Sequence, residues 1–326
     1  MIKFLHRYIK LFFLIALAVI ALQSCYNNYS KNRELAKANL VASECKAIEH
    51  TLGETCVPLQ PQRIIALDEI SLEVLLALDL KPIAATQPNI AGSRIPKLDK
   101  KAEGIASLGK ESQPNLEKIV QLDPDLILGF FVSEEKYKLF SQIAPTVTLD
   151  YVQAGWQDAL LRIGKITGKS TQAHKILQQY QQRVQELRNI ITNQFKTTTV
   201  SISRFYAGRQ IAEFRTKFSF PASIFLDVGL SFLEIQDRLT ENSNQTFIPV
   251  SLERLDLINA DILFIALDPG SQVSFQKYKN SQLWQNLQAV KSNRVYLVDS
   301  SYWIFGNILS ANAIIDDIFK YLVMTS

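Results

Sequence analysis

Histidine and cysteine are both scarce in this 326-residue chain, with three of each: His6, His50 and His174, and Cys25, Cys45 and Cys56. They are too few and too scattered for a zinc cluster, and a histidine-based catalytic triad has little to draw on. There is no G-x-S-x-G turn, no H-E-x-x-H and no glycine-rich phosphate loop, so the common hydrolase and nucleotide-binding chemistries find no foothold. An enzyme is not expected. Charge of one sign is also lacking. The formal net charge is +4, but the first 24 residues carry Lys3, Arg7 and Lys10 and no acid, so the rest of the chain stands at +1. A near-neutral protein has no broad field with which to grip nucleic acid. Long apolar runs are missing too. The longest, Leu11 to Leu22, has 12 residues, against the ~20 that a membrane-spanning helix needs.

That short run, preceded by basic residues, reads as the core of a signal peptide spanning 1–24. It ends in Leu22-Gln23-Ser24-Cys25, which resembles the lipobox of bacterial lipoproteins and implies cleavage before Cys25 and acylation of its thiol. The acyl chains would hold the protein at a membrane surface, facing the periplasm or the cell exterior. The polar stretch after Cys25 reads as a flexible tether, taken here as 25–54. In an oxidising compartment Cys45 and Cys56 form an even pair once Cys25 is lipidated, and a disulfide between them is expected. The alternative is two free thiols.

From residue 55 onward, apolar β-branched runs alternate with amphipathic stretches. Strands are predicted at 63–67, 83–85, 125–129 and 147–149, with helices at 71–78 (Ser71 as cap) and 116–122 between them. From Trp156 to about Gln194 the pattern changes to apolar residues at spacings of three and four. That is one long amphipathic helix, with a break near Gly164 and Gly168. The alternation then restarts, with strands at 198–203, 261–267 and 294–298 and helices at 223–228, 252–257, 281–287 and 310–323. The fold class is therefore α/β: two Rossmann-like lobes, 55–155 and 196–326, joined by a single long rigid helix at 156–195. Each lobe repeats one local pattern. Asn115-Leu116-Glu117 leads to Asp125-Leu126-Ile127 in the first, and Ser251-Leu252-Glu253 leads to Asp261-Ile262-Leu263 in the second.

Several segments resemble a known family. Pro61-Gln62-Arg63-Ile64-Ile65-Ala66-Leu67 with Glu73-Val74-Leu75-Leu76, then Pro114-Asn115-Leu116-Glu117 with Pro124-Asp125-Leu126-Ile127, are similar to the first half of the iron-siderophore and cobalamin substrate-binding proteins of ABC importers. The stretches 250–264, 284–299 and 302–322 are similar to the second half. The resemblance covers about residues 55–326 and implies the helical-backbone periplasmic binding protein fold, with ligand in the interlobe cleft and little closure on binding. It also implies a partner, an ABC permease with its ATPase, and a monomeric binding protein. Glu117 and Glu253 would meet permease arginines. The bland reading of each is a carboxylate complementing a helix dipole.

Candidate ligand-binding residues lie near strand ends. Arg204, Tyr206 and Arg209 follow the strand at 198–203, and Arg215 and Phe220 come soon after. Guanidinium groups interleaved with rings suit an anionic, oxygen-rich ligand. The alternative is a solvated, arginine-rich hairpin. Tyr302 and Trp303 precede the last helix and are expected to face the same cleft. Phe130, Phe131 and Lys110 are the first-lobe candidates. Tyr151 and Trp156 fit either the cleft or packing at a hinge. No cofactor and no protein metal site are expected, because an iron(III) siderophore already saturates its metal with oxygen donors. The arginines point to a negatively charged chelate of the citrate-hydroxamate type. Cobalamin or haem is the alternative ligand, with Tyr206 or Tyr302 as a haem axial ligand.

Overall fold

Ile64–Ala66 (β3), Leu126–Phe130 (β6) and Thr146–Leu149 (β7) are buried along their whole length. Strands that are apolar on both faces belong in a parallel sheet covered on both sides. They form one, together with Ala84–Gln87 (β4) and Ala106–Lys110 (β5), in the order β5-β4-β3-β6-β7, all parallel. The computed structural model describes residues 45–89, 100–151, 155–206, 208–209, 211–241 and 243–324. The signal segment, the lipobox and Cys25 lie outside them. The described residues from Ile48 onward form one compact unit.

Helix α1 (Glu69–Ala77) connects β3 to β4, α2 (Leu116–Gln121) connects β5 to β6, and α3 (Glu134–Phe140) connects β6 to β7. The cap of α1 is Asp68, not Ser71. Asp68 is extended, its Oδ1 accepts from the Ser71 amide at 2.8 Å, and the Ser71 hydroxyl returns a bond to the Asp68 carbonyl. Ser71 lies inside the first turn of a helix that starts two residues before the predicted boundary, because the chain reverses directly after β3.

Two helices follow, α4 (Gly155–Ile166) and α5 (Ser170–Gln194). The break falls at Gly168, which takes φ +73°. The helices then pack so closely that a Cβ on Gly164 would sit 2.6 Å from that of Ala173. The 25 residues of α5 span about 37 Å at 1.5 Å per residue.

The second sheet is mixed. Thr199–Phe205 (β8), Ile262–Leu267 (β12) and Val295–Asp299 (β13) are parallel, and the short Ser231–Phe232 (β10) also runs parallel to β8. Ala212–Arg215 (β9) turns back antiparallel on β8, and Phe247–Val250 (β11) pairs antiparallel with β9. Around the sheet lie α6 (Phe220–Asp227), α7 (Glu234–Leu239), a 3₁₀ helix at Leu252–Ile258, α8 (Gln272–Lys279), α9 (Gln282–Gln285), α10 (Gln288–Lys291), α11 (Ser300–Trp303) and α12 (Ile308–Ile318). The predicted helix at 252–257 is thus 3₁₀, with non-helical dihedrals at Arg254. The predicted helix at 281–287 is two short ones. The predicted last helix gives way after Ile318 to a π-turn, Phe319–Val323.

The repeat seen in the sequence has a structural cause. Asp125, opening β6, accepts from the Gln62 and Arg63 amides that lead into β3. Asp261, opening β12, accepts from the amide and hydroxyl of Thr199 at the start of β8. In each lobe one aspartate fastens the starts of two adjacent parallel strands.

A single buried cluster runs from β3 and α1 through Tyr151, Trp156 and Tyr180 to β8, β12 and α12. A core shared in this way resists wide hinge motion. The N-terminal boundary differs from the reading above. Cys45–His50 (β1) and Gly53–Pro58 (β2) form a two-stranded sheet that begins inside the stretch taken as tether up to residue 54 and ends beyond it. Thr51 and Thr55 bond to the Thr148 and Thr146 carbonyls and Val57 is fully buried, which gives the hairpin a surface to fold on. Cys45 and Cys56 are disulfide-bonded.

Candidate functional site

In a parallel sheet ligands bind beyond the carboxyl ends of the strands, where loops can carry function without disturbing the core. Here both sheets direct those ends at one cavity of about 490 Å³. Asp68 follows β3, Asn89 follows β4, Glu111 follows β5 and Phe131 follows β6. From the second lobe, Arg204 stands near the end of β8, Asp268 follows β12, and Ser300 and Ser301 follow β13. A smaller recess of about 210 Å³ adjoins it and shares Asp68, Asn89, Glu111 and Phe131.

The first-lobe wall is acidic. Asp68 is buried, and burial raises its carboxyl to about 6 against the bonds from the Phe130 and Ser71 amides that hold it ionised. Glu111 accepts from the Glu69 amide at 3.0 Å. Burial, and then the charge of Asp68, raise it to about 7. Glu73 is fully buried and burial raises it to about 7. Its carboxylate crosses to the second lobe, where the Asn307 amide (2.9 Å), the Ser310 amide (2.7 Å) and the Ser310 hydroxyl (2.8 Å) donate to it. These are orphan donors at the start of α12, satisfied from the other lobe. Alongside, the Tyr151 hydroxyl donates to the Gly306 carbonyl and the Asn307 side chain donates to the Trp156 carbonyl. A Cβ on Gly306 would meet Ser310 at 2.3 Å, so only glycine allows the helix start to come this close. Tyr151 and Trp156 are thus junction residues.

The second-lobe wall carries the arginines. Arg204 grips Asp268 with Nε and Nη2, both at 2.9 Å. The Tyr206 ring lies under the guanidinium groups of Arg204 (4.1 Å to the centroid) and the exposed Arg209 (4.9 Å). Its hydroxyl donates to Glu213 Oε2, and Arg215 Nη1 donates to Glu213 Oε1 at 2.7 Å. Burial pushes the Tyr206 phenol up to about 12. At the rim, Phe131 of the first lobe and Phe305 of the second approach edge to face at 6.4 Å, and both flank Tyr151. Phe131 is 62% exposed and takes φ +54°. An aromatic residue held in the left-handed region stores strain of the kind that marks binding sites.

Of the residues singled out from sequence, Arg204 and Phe131 line the cavity, and Arg204 and Arg209 both stack on the ring of Tyr206. Phe130 is buried and borders the smaller recess. Arg215 is buried behind Phe305. Lys110 is exposed at the end of β5 and does not line the cavity. Phe220 packs on Trp156 in the core. The expectation that Tyr302 and Trp303 face the cleft is corrected. Trp303 is fully buried, stacked on Phe264 and bonded through Nε1 to Asp317, and the Tyr302 hydroxyl donates to the same carboxylate. Helix α11 turns these two rings toward β12 and α12, because a flat indole gains more from the core than from the rim. The hydroxyls of Tyr206 and Tyr302 are both committed to carboxylates, which leaves the haem-ligand reading of these two residues without support. Trp303→Phe is expected to lower the melting temperature by several degrees while chelate affinity stays within about twofold, since it removes packing and a buried bond rather than a cavity contact. Parallel melting and binding curves check this.

Sequence reasoning missed Asp68, Glu73, Glu111, Asp268 and Phe305. Glu73 had a signal: it is the one charge inside Ser71-Leu72-Glu73-Val74-Leu75-Leu76. Asp68 and Asp268 had another, as acids directly following apolar strands. Among the described residues no three His, Cys, Asp or Glu are grouped so as to hold a metal ion.

Comparison with known proteins agrees with this fold. The profile of the family described as periplasmic binding protein matches residues 64–302. The "Probable siderophore-binding lipoprotein YfiY" of Bacillus subtilis is 30% identical, with 98% of this chain and 99% of that protein covered. The Fe(3+)-citrate-binding protein YfmC of the same organism is 26% identical, with 97% of each covered. Among solved structures, Staphylococcus aureus SirA complexed with staphyloferrin B superposes with a TM-score of 0.77 at 27% identity, covering 85% of this chain and 98% of that one.

Proposed function

The chain belongs to the periplasmic binding protein family, and from that premise we propose that it is the substrate-binding lipoprotein of an ABC importer. It captures a ferric siderophore in the interlobe cavity and delivers it to a membrane permease and its ATPase. The observation that carries this reading is the cavity itself. Two α/β lobes with a continuous core place arginine, aromatic and carboxylate groups around one space at the carboxyl ends of their strands. The chelate brings its own donors for iron, so the protein has only to recognise its outer surface. The relatives named for siderophore and ferric-citrate binding cover nearly the whole chain.

In this reading Cys25 carries the lipid anchor, and the protein works as a monomer outside the cytoplasmic membrane. Among the described residues no helix is long and apolar enough to cross a membrane, and a lipid tether answers the need for attachment. Arg204, Tyr206, Arg209 and Phe131 meet the chelate. Glu117 and Glu253, both exposed at helix starts, face the permease. Titration of the protein's tryptophan fluorescence with a panel of ferric siderophores, cobalamin and hemin tests the assignment. A saturable one-to-one response to a ferric chelate is expected, with Kd of ~1 µM or tighter, equivalent to about −8 kcal/mol or better. Saturable binding of cobalamin or hemin, with no response to any ferric chelate, would overturn it.

A further inference from the structure

The first-lobe wall has charge of the wrong sign for an anion. Among the described residues that line the cavity, the acids are Asp68, Glu69, Glu73, Glu111 and Asp268, and the base is Arg204. Arg204 is already held by Asp268 through two bonds of 2.9 Å, so that pair brings the cavity little net charge. Lys136 on α3 borders the adjoining recess, but its Nζ donates to the Ser112 and Glu111 carbonyls, at 2.8 and 3.4 Å. Lys110, beside Glu111 on β5, is exposed and lines neither space. An anionic chelate entering here meets like charge, and like charges brought close cost affinity.

Geometry singles out one of these acids as able to shed its charge. Asp68 accepts an amide on each oxygen, from Ser71 at 2.8 Å and from Phe130 at 2.5 Å, and a proton on either would weaken a bond. Both oxygens of Glu73 are engaged by the start of α12. Glu111 differs. Its Oε1 accepts from the Glu69 amide at 3.0 Å, which leaves Oε2 to take a proton with that bond intact. Glu111 is half-buried and borders both the cavity and the recess. Two carboxylates in one poorly solvated space cannot both stay ionised at low cost. Burial, and then the charge of Asp68, already hold the Glu111 carboxyl at about 7, and one more negative charge beside it raises it again.

We propose that capture of an anionic ferric chelate is coupled to uptake of a solvent proton by Glu111, which discharges the first-lobe wall as the ligand arrives. The proposal rests on the siderophore reading of the preceding subsection and adds its regulation: the site holds its ligand most tightly in mildly acid surroundings. The sign follows from linkage. Well above pH 8 Glu111 is ionised with or without ligand, and the repulsion acts in full. Well below pH 6 it is protonated in both states, and nothing more is gained. Between these limits the occupied protein binds more protons than the empty one, so affinity rises as pH falls.

The test uses the full chain and three probes: two anionic ferric chelates, ferric citrate and ferric aerobactin, and ferrioxamine B, a ferric chelate whose free ammonium makes it cationic. Whichever anionic chelate binds should bind about fivefold more tightly at pH 6 than at pH 8.5, for a rise of about one pKa unit in Glu111 on binding. Calorimetry at pH 7.5 in two buffers of different ionisation enthalpy should show uptake of about half a proton per chelate. Glu111→Gln keeps the acceptor for the Glu69 amide and removes the charge. It should bind the anionic chelate about fivefold more tightly than wild type at pH 8.5, lose most of the proton uptake, and bring ferrioxamine B no gain. A gain in affinity does not arise from a damaged fold. Should the variant not fold, the wild-type pH profile and proton count decide. Wild-type affinity and proton count that show no linkage, a folded Glu111→Gln that binds no more tightly at pH 8.5, or an equal gain for ferrioxamine B would overturn the proposal and spare the siderophore reading. Binding of ferrioxamine B with neither anionic chelate bound would do the same. Binding of no ferric chelate at all would remove both.

Discussion

Glu73→Ala is expected to lower the melting temperature by roughly 10 °C. The carboxylate is fully buried and receives three hydrogen bonds from the start of α12 in the opposite lobe. Its removal strands the Asn307 and Ser310 donors in the core. Deleting a buried charged partner of this kind costs about 3–5 kcal/mol, and in a protein of this size each kcal/mol shifts the midpoint by ~2–4 °C. Glu73→Gln keeps the shape and one acceptor oxygen and should cost less. The pH dependence gives a sharper readout. The Glu73 carboxyl stands at about 7 in the folded chain, above its ordinary 4.5. Below pH 4.5 the group is protonated in both states and favours neither. As pH rises from 4.5 to 7 the unfolded chain ionises first, so folding loses about 3 kcal/mol across that window and no more above it. Asp68 (about 6, from 3.8) and Glu111 (about 7, from 4.5) act in the same direction. Wild-type stability should therefore fall between mildly acid and neutral pH, and its margin over Glu73→Gln should shrink through the same range. Melting curves from pH 4 to 8 for both proteins check this. A margin that stays constant would show that Glu73 is ionised at ordinary pH.

Much of this architecture was legible because parallel strands buried on both faces announce themselves as short apolar runs. The runs at 63–67, 125–129 and 261–267 all became central strands, and the apolar spacing of the long helix survived with its break where Gly168 stands. What escaped was set by contacts between distant segments. The antiparallel β9 and β11 flank the second sheet, and only pairing with β8 makes Ala212–Arg215 a strand at all. Trp303 reads as a loop aromatic until Phe264 and Asp317 arrive to receive it. The site divides along the same line. Residue types near strand ends indicated Arg204 and Phe131. Whether an arginine is already held, as Arg204 is by Asp268, or only half held, as Arg215 is, depends on partners 64 residues away in one case and two in the other. The acidic first-lobe wall left only faint signals, for the opposite reason. A lone Asp or Glu in a sequence reads as solvent-facing, and only burial reveals Glu73 as a clasp.

If Glu117 and Glu253 dock the permease as proposed, loss of both carboxylates should abolish uptake without touching capture. Glu117 sits in the first turn of α2, a helix whose cap is formed by Asn115 accepting from the Lys118 amide. Glu253 sits in the first turn of the 3₁₀ helix in the other lobe, and a hydrogen bond from the Ser251 hydroxyl is the main cause holding its carboxyl below the usual range. Both side chains are exposed and neither borders the cavity. Each stands at the start of a short helical element, so in the proposed docking it would meet a partner guanidinium with little loss of conformational freedom. A charged pair buried on docking and cut on one side typically loses ~2–5 kcal/mol, which is roughly 30-fold or more per site, and two sites acting together would take transport below detection. Surface changes of this kind alter stability by only about 0.5 kcal/mol. The double variant Glu117→Ala/Glu253→Ala should therefore melt within about 2 °C of wild type and bind its ferric chelate with unchanged affinity. Iron uptake by cells carrying it as their only copy should stop, and each single variant should be intermediate. Reversal to arginine at either position should be worse than alanine, because like charges would then oppose at the contact. Transport at the wild-type rate in the double alanine variant would leave both carboxylates with nothing more than a helix-dipole role.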